Sequence, residues 1–188
     1  MKLSDSEIKR RMFVKGREQI IITPEPGSQS IQPTSVDLHL SSTLRLYPLP
    51  IRGLRLVLDP EQGADTREKH FGTHELEPGD FLLASTLEHV TIPHDLVAIV
   101  EGKSSLGRIG LAVHITAGFI DPGFRGNITL ELKNVNAHPI LLTGGMAICQ
   151  LCFEPILGTV ERPYGSPGLR SRYQDSTGTI GARKLKNS

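Results

Sequence analysis

Apolar residues along the chain fall into short runs, and only the first has a helical setting. Ser4 followed by Glu7 has the form of a capping box, with Leu3 and Ile8 at the two positions of a hydrophobic staple around it. This predicts one short helix ending near Gly16. Beyond it, β-branched or alternating apolar runs are separated by Gly, Pro or Asp, the pattern of strands. Strands are expected near 20–23, 35–40, 43–47, 54–58, 80–85, 96–100, 111–116, 127–134 and 146–153. The stretch from Glu61 to Thr73 is polar and without period, which predicts a surface loop. No internal repeat at a fixed period is visible. From about Tyr164 the apolar pattern stops, so one domain over 1–188 is expected to end in a mobile tail, 165–188. Arg170, Arg172 and Arg183 keep open the alternative of a lid that closes on phosphate.

Composition agrees with a mainly β fold: 19 Gly and 13 Pro without a Trp favour turns and short strands over long helices. Lys and Arg exceed Asp and Glu by 21 to 20, so the global field that gathers nucleic acid or an anionic membrane is missing. Any anionic ligand must be held by local charge. The N-terminus has no apolar signal core, and no apolar run approaches the roughly 18 residues of a membrane span. A soluble intracellular protein is expected. Cys149 and Cys152 are too few for a disulfide framework, in keeping with a reducing cytoplasm.

Candidate chemistry begins with Gly102-Lys103-Ser104-Ser105-Leu106-Gly107-Arg108, directly after the apolar run Leu96 to Val100. Glycines let backbone amides approach an anion, the hydroxyls donate, and Lys and Arg add charge-assisted bonds. Either a phosphate turn or an ordinary basic turn has this composition. It is not a Walker loop, because Val97 stands where that motif needs its first glycine. In Asn127 to Lys133, Ile128, Leu130 and Leu132 share one strand face, which puts Thr129 and Glu131 together on the other. Asp121 sits in the turn Ile120-Asp121-Pro122-Gly123-Phe124. Taken singly, both carboxylates fit ordinary exposed positions. Cys149 and Cys152 have zinc-knuckle spacing, but residues three apart on a strand point to opposite faces. A zinc nucleoside deaminase also needs His-x-Glu and Pro-Cys-x-x-Cys; no histidine has Glu two residues on, and Ile148 precedes Cys149. No zinc is expected.

In their order, Thr34-Ser35-Val36-Asp37-Leu38, Gly102 to Arg108, Ala117 to Gly126, Gly145 to Leu151 and the glycine-bearing tail resemble the five motifs of trimeric dUTPases. Thr129-Leu130-Glu131 and Arg162-Pro163-Tyr164 bring the chain closer to the dCTP deaminase branch of that family, over nearly its whole length. The resemblance implies a distorted, jelly-roll-like β barrel forming a homotrimer with active sites shared between subunits. It also implies dCTP as substrate and Mg²⁺ carried on the triphosphate. Lys103, Ser104, Ser105, Leu106, Gly107 and Arg108 would line phosphates and base, Asp121 would meet the deoxyribose, and Gln150 and Tyr164 would lie along the nucleotide. Thr129, Leu130 and Glu131 would flank the base. Glu131 becomes the expected proton shuttle, with Ser104 and Arg108 polarising the base and orienting that glutamate, and the Ala117 carbonyl holding the water.

Gly118-Phe119 resembles the members that form dUMP directly, glycine being expected to leave room for the backbone and for a second water served by Asp121. Where many relatives carry Lys and then Gln in the tail, this chain has Arg172 and Ser176. The expected activity is conversion of dCTP and water to dUMP, diphosphate and ammonia for thymidylate precursor supply. The alternatives are a deaminase releasing dUTP, a plain dUTPase, or a non-catalytic trimer that binds nucleotides.

Overall fold

The computed structural model describes residues 1–48 and 56–184. Helix α1 (Asp5–Phe13) is followed by strands β1 (Ile21–Thr23), β2 (Ile31–Gln32), β3 (Ser35–His39) and β4 (Thr43–Leu46). Then come β5 (Arg67–His70), β6 (Thr73–Leu76), β7 (Phe81–Thr91) and β8 (Leu96–Gly102). A single turn α2 (Ser104–Gly107) leads to β9 (Leu111–Ala112), β10 (Phe119–Ile120), β11 (Arg125–Asn134), β12 (Ile140–Thr143) and β13 (Ala147–Pro155). One antiparallel sheet runs β5-β4-β7-β11-β9 with β1 added beside β7; a second runs β10-β8-β13-β3-β2; β12 and β6 pair apart.

Alternation decides which face of each strand meets the core. On β11, Ile128, Leu130 and Leu132 are at most 3% exposed while Thr129 and Glu131 are half-buried on the other face. Each of those three side chains contributes about 1.5–3 kcal/mol by leaving water. On β13 the register shifts between Ala147 and Cys149, and both cysteines are buried. Burial pushes the Cys149 thiol well above its ordinary range, with the carboxylates of Glu88 and Asp37 adding to the effect.

The helix ends three residues earlier than expected, at Phe13, where Val14 turns extended. Its capping box is half made. Ser4 Oγ accepts the Glu7 amide at 3.4 Å, but the Glu7 carboxylate turns to Arg10 instead of back to the cap. Leu3 packs on the core and Ile8 is fully buried, and Arg11 ties the helix to Asp95 through two 2.6 Å bonds.

Three expectations need correction. The predicted loop 61–73 contains β5, whose Arg-Glu-Lys-His sequence pairs only with β4 at a sheet edge and so shows no apolar alternation. β6 and β12, four residues each, were too short to register as periodic segments. Of the strand expected over 54–58, residues 54–55 lie outside the described residues, and 56–58 join no ladder. The strand expected over 111–116 stops at Ala112 for a chemical reason: the amides of Ile115 and Thr116 donate to the Glu131 carboxylate.

The segment expected to be a mobile tail is laid back on the first sheet as far as Lys184. Ser176 bridges to Gly126 in parallel, its carbonyl accepting the Asn127 amide at 3.0 Å. Thr179, 3% exposed, is held between the Ser85 hydroxyl and the Thr43 carbonyl, and Arg45 donates to the Thr179 carbonyl at 2.6 Å. Gly126 and Gly123 permit this docking. A Cβ on Gly126 would come within 3.0 Å of the Ser176 carbonyl, and one on Gly123 within 2.8 Å of Pro163, at φ values of +153° and +85°.

Candidate active site

Two clefts gather most of the candidate residues, and they share no lining residue. The first, about 400 Å³, lies over the non-core face of β11. Thr129 and Glu131 form its floor, while Phe119 of β10 and Ala117 and Asp121 on either side of that strand approach from before β11. Glu131 is held by backbone: its Oε2 accepts the Ile115 amide at 2.8 Å and the Thr116 amide at 3.3 Å. That anchoring fixes one carboxylate oxygen and leaves Oε1 for other work. Tyr164 and Ser176 also line this cleft, with Tyr164 stacked 5.8 Å from the Phe124 ring and its hydroxyl accepting the Tyr173 amide.

Several residues here carried no signal in the sequence. Tyr47 and Phe81, ring centroids 5.6 Å apart, wall the side facing Glu131. Burial first, and the nearby Glu131 carboxylate second, push the Tyr47 phenol above its ordinary range. Asn127 joins cleft to tail: its Nδ2 donates to the carbonyls of Thr86 and Glu88, and its Oδ1 accepts the Gly178 amide at 3.0 Å. Tyr173 and Ile180 arrive from the tail. None of these stands within a local motif; only the fold brings them to Glu131.

The second cleft, about 540 Å³, opens where β8 runs into α2. Lys103, Ser104, Ser105 and Gly107 line one side, Asp37 and Gln150 the other. Gln150 is fixed at both ends of its amide, accepting the Ser35 hydroxyl at 2.9 Å and donating to the Gly102 carbonyl at 3.1 Å. Hydroxyls and a cation around an open polar hollow suit an oxyanion.

Some candidates fall outside both clefts. Leu130 is fully buried in the core, Leu106 packs partly against it, and Arg108 is exposed beyond α2. Arg172 lends its carbonyl to Arg183. Within one chain, then, Ser104 and Arg108 do not orient Glu131; the amides of Ile115 and Thr116 do. Gly118 is buried, with backbone close beside it: a Cβ there would lie 3.0 Å from the Val100 carbonyl and 3.0 Å from the His114 ring. That close approach of backbone and ring favours glycine at this position.

The described residues contain no group of three or more His, Cys, Asp or Glu placed to hold a metal ion. No helix among them is long and apolar enough to cross a membrane.

Residues 2–156 match the model of the dCTP deaminase-like family. The chain is 44% identical over 188 residues to a dUMP-forming dCTP deaminase of Beutenbergia cavernae, spanning 97% of this chain and 94% of that protein. It is 40% identical over 186 residues to one of Methanosphaera stadtmanae, spanning 94% and 90%. Among solved structures it is similar to the 2'-deoxycytidine 5'-triphosphate deaminase of Agrobacterium tumefaciens, with TM-score 0.63 at 22% identity over 82% of this chain and 48% of that one. The dUTPase of EIAV gives TM-score 0.51 at 17% identity over 79% and 98%. These two likenesses establish the fold type.

Proposed function

The chain belongs to the dCTP deaminase-like family, and from that membership we propose that it converts dCTP and two waters to dUMP, diphosphate and ammonia. The observation that carries this reading is Glu131: a carboxylate pinned through one oxygen by two backbone amides on a cleft floor, with its second oxygen free.

Deamination asks one group to move two protons in turn. Water bonds through oxygen to the ring carbon bearing the amine while Glu131 takes a proton and passes it to the ring nitrogen. From the resulting tetrahedral carbon, Glu131 takes the hydroxyl proton and gives it to the amine. The carbon–nitrogen bond then breaks and ammonia leaves, with uracil remaining. The Ala117 carbonyl on the cleft wall helps hold the water, and Tyr47 and Phe81 keep the base side apolar. Asp121, at the cleft rim, meets the deoxyribose and orients a second water toward the α-phosphorus, displacing diphosphate. Relatives that form dUMP support this second step.

Triphosphate recognition falls to the Lys103 cleft. That cleft and the Glu131 cleft share no lining residue within one chain, and a nucleotide using both would be served where two copies meet. A homotrimer with shared sites supplies such a junction. There Ser104 and Arg108 of one copy act on the base held by its neighbour's Glu131. A Mg²⁺ carried in on the nucleotide's own oxygens would spread the triphosphate charge. Two buried free thiols suit a cytoplasmic setting.

Product analysis on dCTP tests the reading. Ammonia, diphosphate and dUMP should rise together without a lag. Stable dUTP would leave a deaminase that stops after the first step, and no ammonia would remove the assignment altogether.

A further inference from the structure

Opposite the phosphate turn, β3 carries an acidic group where an anion is expected to bind. Asp37 is 8% exposed, and its Oδ2 lies 2.6 Å from Lys103 Nζ. Gln32 donates weakly to the same oxygen at 3.4 Å, and Oδ1 is buried without a partner. A buried carboxylate beside a phosphate site repels the ligand and bears its own desolvation cost. Left alone, such a residue works against binding.

Its effect on Lys103 reverses that balance. An ammonium has three donors, so contact with Asp37 still leaves protons for a phosphate. A free lysine spreads over many rotamers and gives up that freedom on binding; one already held has less to lose. Lys103 is only a quarter exposed, and the backbone beside it is fixed in the same way, since Gln150 grips the Gly102 carbonyl and is itself gripped by Ser35. Side chain and main chain of the turn are thus both set from the β3 and β13 platform.

We infer that Asp37 is a positioning residue that holds the Lys103 ammonium at the edge of the second cleft, ready for the triphosphate. The inference rests on the reading of that cleft as the triphosphate half-site.

A double-mutant cycle with Asp37→Asn and Lys103→Met in the full chain tests it, reading affinity for inorganic tripolyphosphate and steady-state turnover of dCTP. Asp37→Asn should weaken tripolyphosphate binding about tenfold, the scale of one hydrogen bond to a charged group. Lys103→Met should weaken it at least as much, and adding Asp37→Asn to Lys103→Met should cost nothing more. KM for dCTP should follow the binding loss while kcat changes by less than about twofold. A penalty for Asp37→Asn that persists without Lys103 would make Asp37 structural and overturn the inference, as would binding equal to or tighter than that of the original chain. If Asp37→Asn fails to fold, Asp37→Glu, which keeps the charge but displaces the ammonium, takes its place with the same two outcomes. A chain that shows the coupling with tripolyphosphate but releases no ammonia from dCTP keeps the inference and loses the proposed reaction. One that turns over dCTP without the coupling does the reverse.

Discussion

The Glu131 cleft and the Lys103 cleft solve different problems with different materials. In the first, a carboxylate is held by main-chain amides among aromatic walls drawn from the residue after β4, from β7, β10 and the loop before β11, and from the tail. In the second, a short contiguous turn presents hydroxyls and a cation, supported from below by polar side chains of β3 and β13. On the proposed reading one serves proton transfer and the other holds charge, each in its own environment, and a nucleotide that uses both would meet them where two copies join.

Glu131→Gln should break the first cleft most severely while sparing the second. The amide oxygen can still accept from Ile115 and Thr116, so fold and nucleotide affinity should persist. The shuttle is gone, and ammonia release should fall by about 10²–10⁴-fold, the usual worth of general acid–base catalysis. Calorimetric binding of a dCTP analogue beside an ammonia assay gives both numbers, and near-normal deamination would move the catalytic role elsewhere.

Within that cleft, Asp121→Asn separates the two hydrolyses. Diphosphate release should drop on the order of 10²-fold while ammonia release stays closer to normal, so that dUTP accumulates. Quenched time courses resolved by chromatography would show it. Equal loss of both products would mean that Asp121 serves binding alone.

The contrast also explains what could be read from the chain. The second cleft was legible because its turn is continuous in sequence: Gly102 to Arg108 carry their chemistry side by side. Glu131 was legible as a residue on the outer face of a period-two strand, though spacing alone could not distinguish it from a solvated glutamate. Its surroundings were hidden, because Tyr47, Phe81 and Asn127 meet it only through sheet pairing. The strand expected over 111–116 failed for a related reason: its amides serve a side chain, and apolar patterning records burial without recording where an N–H group points. At Gly118 the local sequence could not name the neighbours, because the Val100 carbonyl and the His114 ring reach it from other parts of the fold.

Removing the chain after Tyr164 sharpens the comparison in a milder way. Tyr173 and Ile180 line the first cleft, and among the described residues none of the tail lines the second. Turnover should fall roughly tenfold to a hundredfold through lost closure and lost cations, while tripolyphosphate affinity changes less. The melting temperature should drop modestly, because Thr179 and its partners Ser85 and Thr43 lose a buried contact. Kinetics indistinguishable from the full chain would make the docked segment a bystander.

Mixing two impaired variants, assayed with dCTP well below KM so that the binding defect is read as lost turnover, gives the smallest departure from normal activity and the most direct view of the division. Each Glu131→Gln chain keeps an intact Lys103 cleft, and each Lys103→Met chain keeps an intact Glu131 cleft. In randomly mixed closed trimers with sites at subunit junctions, a site works when a Lys103→Met copy supplies the glutamate and its neighbour supplies the lysine, so about a quarter of sites are restored. Co-expression in equal amounts should therefore recover activity to about one quarter of the original under those conditions, above the roughly one tenth or less left to Lys103→Met alone and the far smaller remainder left to Glu131→Gln. Were both clefts to serve a nucleotide within one chain, every chain in the mixture would carry a lesion in its own site and mixing would restore nothing. Light scattering on the mixed sample fixes the assembly size, and a monomer at working concentration would count against the shared site as firmly as failed complementation.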